Sequence, residues 1–219
     1  YMFIGPVLAL NGEASTWAAP APPPAPLSSR PYKFLDYYTE QDAGLFFGRE
    51  AEIEIITSQI LAHRSFILHG RSGAGKSSLL RAGLLPRLRA QEQEVFVLRC
   101  FIPPLEQMLA ALQLSSHTGS HELVAAILQR VEKAPGRSLI FLMDQFEEFF
   151  MLLEEEPRQK FIAALAELYA HETLPVRFVF AIREDLLAEM SRLKSALPEI
   201  FHHEYRLKRL NREQAGRAI

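Results

Sequence analysis

The run Gly70-Arg71-Ser72-Gly73-Ala74-Gly75-Lys76-Ser77 constrains this 219-residue chain more than any other stretch of it. It fits the pattern GxxxxGK[ST], in which each residue type answers a physical need. Glycines let the main chain coil tightly, so that successive N–H groups turn inward around an anion. A helix starting at Gly75–Lys76 aims its positive end at the same point. The Lys76 ammonium then reaches β- and γ-phosphate oxygens, and the Ser77 hydroxyl can ligate Mg2+. Such a loop needs a strand before it and a helix after it. Ser65–His69 (SFILH) reads as a buried strand, and Lys76–Leu88 carries Leu80, Leu84 and Leu88 along one helical face. A Gly-rich turn without a ligand is the competing reading. The flanking pattern favours a nucleotide site built from Gly70, Arg71, Ser72, Gly73, Ala74, Gly75, Lys76, Ser77 and Ser78.

Further strands are expected at Val95–Cys100, Leu139–Met143, Val176–Ile182 and, short, at Glu204–Leu207. Helical spacing marks Glu50–Leu61, Leu105–Leu112, Leu123–Val131 and Arg158–His171, with further helices from Asp185 and near Asn211. Strands that alternate with helices and are apolar on both faces predict a three-layer α/β/α sandwich with a mainly parallel sheet. With 24 Lys+Arg against 26 Asp+Glu the formal charge is −2, which argues against a chain that is basic throughout and coats nucleic acid. The single cysteine, Cys100, forms no internal disulfide, and the seven histidines show no metal-ligand spacing. No apolar run reaches the roughly 18 residues needed to span a bilayer. Gly5 and Pro6 interrupt the apolar start, so a signal peptide is not expected. Seven of the 14 prolines fall in the first 31 residues, and Ala18–Pro26 is all Ala and Pro. Residues 1–31 therefore read as a semi-rigid linker and the end of an upstream element, in preference to a docking motif for a proline-recognising domain. Residues 32–219 read as the folded core, and a chain opening on Tyr1 is expected to be part of something longer.

A phosphate loop of this kind needs an acid at the end of a neighbouring strand. Leu139–Met143 runs into Asp144, the expected metal partner, although an aspartate there could also cap a helix. Glu147 and Glu148 follow closely, and either could orient the attacking water or face solvent on a first helical turn. Glu154–Glu156 is expected to be solvated surface. Arg183 follows the strand Val176–Ile182 on the edge where open α/β sheets bind ligands. It suits sensing of a γ-phosphate; the alternative is pairing with Glu184 or Asp185.

Together with Pro31–Glu54 (PYKFLDYYTEQDAGLFFGREAEIE), Gly70–Leu88 (GRSGAGKSSLLRAGLLPRL), Asp144–Phe150 (DQFEEFF) and Ala181–Leu187 (AIREDLL), these elements resemble the STAND class of P-loop NTPases, in particular the novel STAND NTPases related to NACHT and AAA+ proteins. The resemblance covers roughly residues 31–219. FFGRE at Phe46–Glu50, followed by GLLPRL and DQFEE, is its specific part. It implies an ASCE-type core with five strands in the order 5-1-4-3-2, and nucleotide-binding roles for Phe47, Gly48 and Arg49 beside adenine and ribose. It further implies ATP or ADP with Mg2+ as ligands, Lys76, Asp144, Glu147 or Glu148, and Arg183 in catalysis, and Ser77 and Asp144 on the metal. Gln145 departs from the family, standing where many relatives carry a second acid. By the same resemblance, a helical lid and winged-helix region are expected to lie beyond Ile219.

The expected function is the ATP-binding core of a cytoplasmic signalling switch with slow hydrolysis. The resemblance adds covalently linked effector and sensor domains and self-association when ATP is bound, and no membrane partner is expected. The rivals are an AAA+-like ATPase acting on nucleic acid through Arg206, Lys208, Arg209 and Arg212, a non-hydrolysing nucleotide-binding module, and a small-molecule kinase.

Overall fold

Six-residue strands in which every residue is buried must lie inside a sheet covered on both faces, and β1 (Ser65–Gly70) and β3 (Leu139–Asp144) are of this kind. The computed structural model describes residues 36–217. The proline-rich linker expected at 1–31 lies outside that range. With β2 (Glu94–Arg99), β4 (Val176–Arg183) and β5 (Glu204–Arg206), these strands form one parallel sheet in the order β2-β3-β4-β1-β5. Read from the β5 edge, this is the expected 5-1-4-3-2.

Alternation divides the core in two. Ile67, Phe141, Met143, Phe178, Phe180 and Ile182 face one side, against α4 (Pro104–Ala111), α5 (Ser120–Glu132) and α7 (Glu155–Ala170). Phe66, Leu68, Ile140, Leu142, Val179 and Ala181 face the other, against α1 (Glu50–Ala62) and the helical stretch at 76–90. Between β3 and α7 lies the short α6 (Glu147–Met151), whose Phe149 stacks on Phe146 with ring centroids 4.8 Å apart. Phe180 meets the same Phe146 ring from β4, also at 4.8 Å.

Two helices differ from the simple expectation. The stretch behind the glycine loop begins as α2 (Lys76–Ser78), becomes π-helical over Leu79–Leu84, and ends as α3 (Leu85–Ala90). Leu79, Leu80, Leu84 and Leu85 are all buried, and the two pairs recur every five residues. That is the spacing of i→i+5 bonding, seen directly where the Leu85 N–H donates to Leu80 O. The segment Glu184–Leu193 forms a 3-10 helix instead of an α-helix. Leu187, Met190 and Leu193 pack on the core at three-residue intervals, so a turn of three residues keeps them on one side. The last helix, α8 (Arg212–Arg217), is started by reciprocal bonds: the Gln214 N–H donates to Asn211 Oδ1 (2.8 Å) and the Asn211 N–H to Gln214 Oε1 (3.0 Å).

Because Phe146 is fully buried and touches four other phenylalanine rings, Phe146→Ala should cost about 3–5 kcal/mol of stability. The check is urea unfolding, with the midpoint lowered and the slope unchanged.

Candidate functional site

The glycine loop takes its shape from backbone handedness. Gly73 (φ +73°) and Gly75 (φ +93°) are both left-handed, a region closed to most side-chain-bearing residues. A Cβ on either would meet nothing within 4 Å, so conformation and not crowding requires glycine. The Ala74 N–H closes a turn onto Arg71 O (3.1 Å), and Gly75 passes directly into α2, where the Leu79 N–H donates to its carbonyl (2.8 Å). Lys76 is buried and arches back over the loop, its Nζ donating to Gly70 O (2.9 Å) and Arg71 O (3.2 Å). Burial lowers its pKa from the usual lysine value, while Glu147 and Asp144 pull it upward.

Asp144 ends β3 with no solvent exposure, and both of its oxygens are engaged. Ser77 Oγ donates to Oδ1 at 2.8 Å, and Arg81 Nε to Oδ2 at 3.2 Å. The Arg81 guanidinium also lies over the Tyr37 ring, 4.8 Å from its centroid. Arg81 did not stand out in the sequence, yet it sits four residues after Ser77, the spacing that puts two side chains on one helical face.

The two glutamates separate clearly. Glu147 is buried, lines the cleft that holds Lys76 and Ser77, and its Oε2 accepts the Arg183 N–H (3.2 Å). Glu148 turns away toward Arg99, with 3.6 Å between Oε1 and Nη2. Burial raises the Glu148 pKa, Arg99 works against that rise, and Glu147 and Asp144 add to it. Arg183 faces the same cleft, and its guanidinium is paired with Asp185 at 3.1 and 2.6 Å, the alternative weighed from sequence. Gln145 also lines this cleft, held at φ +54°.

Two clefts meet at the loop. One, of about 340 Å³, is polar and contains Ser72, Lys76, Ser77, Gln145, Glu147 and Arg183. The other, of about 500 Å³, is walled by Tyr38, Leu45, Phe46, Phe47 and Leu210. Gly73, Gly75 and Ser78 line both. Ser78 also accepts the Tyr38 N–H at Oγ (3.1 Å), which ties the chain entering the core to the loop. Arg71 is exposed and outside both sets of lining residues; it contributes its carbonyl. Phe47 is half-exposed in the larger cleft. Gly48 (φ +83°) lies against α8, and Arg49 is buried beneath the larger cleft. Of the basic residues near the end, Arg206 pairs with Glu184 (2.5 Å), and Arg209 lines the larger cleft.

Hydroxyl and carboxylate oxygens suit a hard divalent cation. Among the described residues no cluster of three or more His, Cys, Asp or Glu could hold a metal alone. Ser77 and Asp144 fit Mg2+ only as part of a set completed by phosphate oxygens and water.

A glycine loop between β1 and α2, backed by an acid at the end of β3 in a parallel sheet of this order, defines a P-loop NTPase core that binds nucleotide. The sequence matches the novel STAND NTPase 1 family over residues 31–219, and the chain belongs to that family. Among solved structures it is similar to the Aeropyrum pernix ORC2 protein, described as ADPNP–ADP complexes, at 16% identity and a TM-score of 0.51. That likeness covers 73% of this chain and 47% of the other, so the chain spans about half the length of that protein, and the likeness concerns the fold. Trip13 from Rhizobiales matches at 16% identity and a TM-score of 0.46, over 79% of this chain and 66% of that one. No curated protein matches the sequence. No helix among the described residues is long and apolar enough to cross a membrane.

Just ahead of the loop, burial lowers the pKa of His69 from the ordinary histidine value, with Glu204 at 4.0 Å opposing the shift. His63, stacked on His203 at 3.3 Å, is lowered by burial first and then by that neighbour. A histidine lowered in the folded state takes up its proton more readily when unfolded. The stability these two histidines contribute is then fully present above about pH 6.5 and is lost as pH falls through that value toward the lowered one. Urea unfolding at pH 7.5 and pH 5.5 should show lower stability at the lower pH, and His63→Gln should make the difference smaller.

Proposed function

We propose that this chain is the ATP-binding and slowly ATP-hydrolysing core of a STAND-type signal-transduction switch. The observation that carries the reading is the junction of the two clefts at Gly73, Gly75 and Ser78. An aromatic-walled space for a base joins a cation-bearing space for phosphates, which is the shape of a nucleoside triphosphate. In this reading the Lys76 ammonium exchanges its carbonyl partners for β- and γ-phosphate oxygens. Ser77 and Asp144 would hold Mg2+, which would supply neutralisation of the phosphate charge. Glu147, facing the phosphate cleft, orients the attacking water, and Arg183 leaves Asp185 to contact the γ-phosphate. ATP then favours one arrangement of linked effector and sensor domains and ADP another, with self-association in the ATP form and a cytoplasmic setting. Such a switch moves only as far as the two nucleotides differ in affinity for the two arrangements.

Calorimetry with ATP, ADP and GTP in Mg2+ tests the central step: ATP and ADP should bind, and Lys76→Ala should weaken triphosphate binding by at least about tenfold, or 1.4 kcal/mol. Absence of any magnesium-dependent triphosphate binding to the well-folded chain would remove the proposal. Single-turnover cleavage separates the two acids. Glu147→Gln should bind ATP and release phosphate about a hundredfold more slowly, whereas Glu148→Gln should stay within a few-fold of the parent.

A further inference from the structure

The segment that leaves β5 lies against the end of β1, the start of the nucleotide loop and the FFGRE turn. The Leu207 N–H donates to His69 O (2.7 Å), and a Cβ on Gly70 would lie 2.5 Å from Leu207 O. A Cβ on Gly48 would lie 2.5 Å from Gln214 O. Both glycines are therefore sites of main-chain approach, one at the start of the phosphate loop and one in the FFGRE turn. Between them lies Arg49, 4% exposed, with its guanidinium spent inside the protein. One nitrogen, Nη2, donates to Ala74 O of the loop (3.0 Å) and to Lys208 O of the departing segment (2.7 Å). The other, Nη1, donates to Glu52 Oε1 (2.8 Å), which also accepts from Gln214 Nε2 (2.8 Å).

We infer that Arg49 is a positioning residue, a strut through which nucleotide held by the glycine loop and docking of residues 207–217 reinforce each other. The inference rests on the nucleotide-binding reading above and adds what that site controls. A planar guanidinium can join two carbonyls and a carboxylate at once; a lysine ammonium in the same place cannot span all three. Ala74 O and Lys208 O share a single nitrogen, so a shift of the loop is felt by the departing segment. Coupling between the two is reciprocal by thermodynamic necessity.

The test is amide hydrogen exchange over residues 208–217 of the whole chain, with and without Mg2+ and ATPγS, with binding followed in parallel by calorimetry. The parent should exchange about tenfold more slowly in this segment when nucleotide is bound. Arg49→Lys should still bind ATPγS, weakened about tenfold, and its segment should no longer respond. Nucleotide-dependent protection that persists in Arg49→Lys overturns the strut, as does a parent that binds without any change at 208–217. Complete loss of binding in Arg49→Lys also overturns it, because the guanidinium would then be a direct ligand. Should Arg49→Lys fail to fold, Gln214→Glu removes the donor to Glu52 and keeps an oxygen to accept the Asn211 N–H. Its nucleotide-dependent protection should be reduced, and protection equal to the parent's overturns the inference. A parent that binds no nucleotide in the calorimeter removes the reading beneath it, and the inference with it.

Discussion

The parallel register of β3, β4 and β1 is the constraint on which the site depends. Gly70 stands opposite Arg183, and Met143 opposite Phe180, so the strands end nearly level and their last residues emerge on one edge. A slip of one residue in β3 would turn Asp144 to the other face and break its bond to Ser77. Aromatic residues pin that register from below. Phe96, Phe141 and Phe178 are matched across β2, β3 and β4, with ring centroids 5.4 and 5.8 Å apart along the row. Apolar packing on one face thus decides where a carboxylate appears at the edge.

Buried charge around the loop is nearly all satisfied. Lys76 rests on two carbonyls, Asp144 on a hydroxyl and a guanidinium, and Arg49 on two carbonyls and Glu52. Leaving any one of these unpaired would cost several kcal/mol, which holds the side chains in place. Glu148 and Arg99 are exceptions: Glu148 Oε2 and Arg99 Nε are both buried without a hydrogen-bond partner, and the ion pair between the two side chains is long. That asymmetry separates two adjacent acids which look alike in sequence. Glu147 is tied to the backbone of Arg183 on the central strand; Glu148 hangs beside the edge strand.

The loop, the strand alternation and the acid after β3 were legible because each is a local pattern: glycine spacing, apolar runs, and a polar residue where such a run stops. The strand order came with the resemblance, since no periodicity reports which strand lies beside which. What stayed hidden is set by partners distant in sequence. Arg49 read as a nucleotide contact, and its commitment to Lys208, 159 residues away, has no local sign. Helix type was hidden for another reason. Leu80, Leu84 and Leu88 satisfy an α-helical stripe, and only the burial of Leu79 and Leu85 as well reveals the wider π turn. The 3-10 segment from Glu184 was equally ambiguous, since an apolar residue every third position fits the edge of an α-helical face too.

The glycines divide into two kinds that a motif alone treats as one. Gly73 and Gly75 have open space where a Cβ would stand and are needed for their left-handed backbone. Gly70 has no such backbone requirement and is needed because another strand of main chain lies 2.5 Å from that position. Gly48 carries both demands, a φ of +83° and the carbonyl of Gln214 at the same distance. The first kind shapes an anion cradle and would serve in any phosphate loop. The second makes room for the segment after β5 at the start of the loop and at the FFGRE turn. Without a side chain at Gly70 and Gly48, the departing segment comes within main-chain contact of the loop's first residue and of the FFGRE turn.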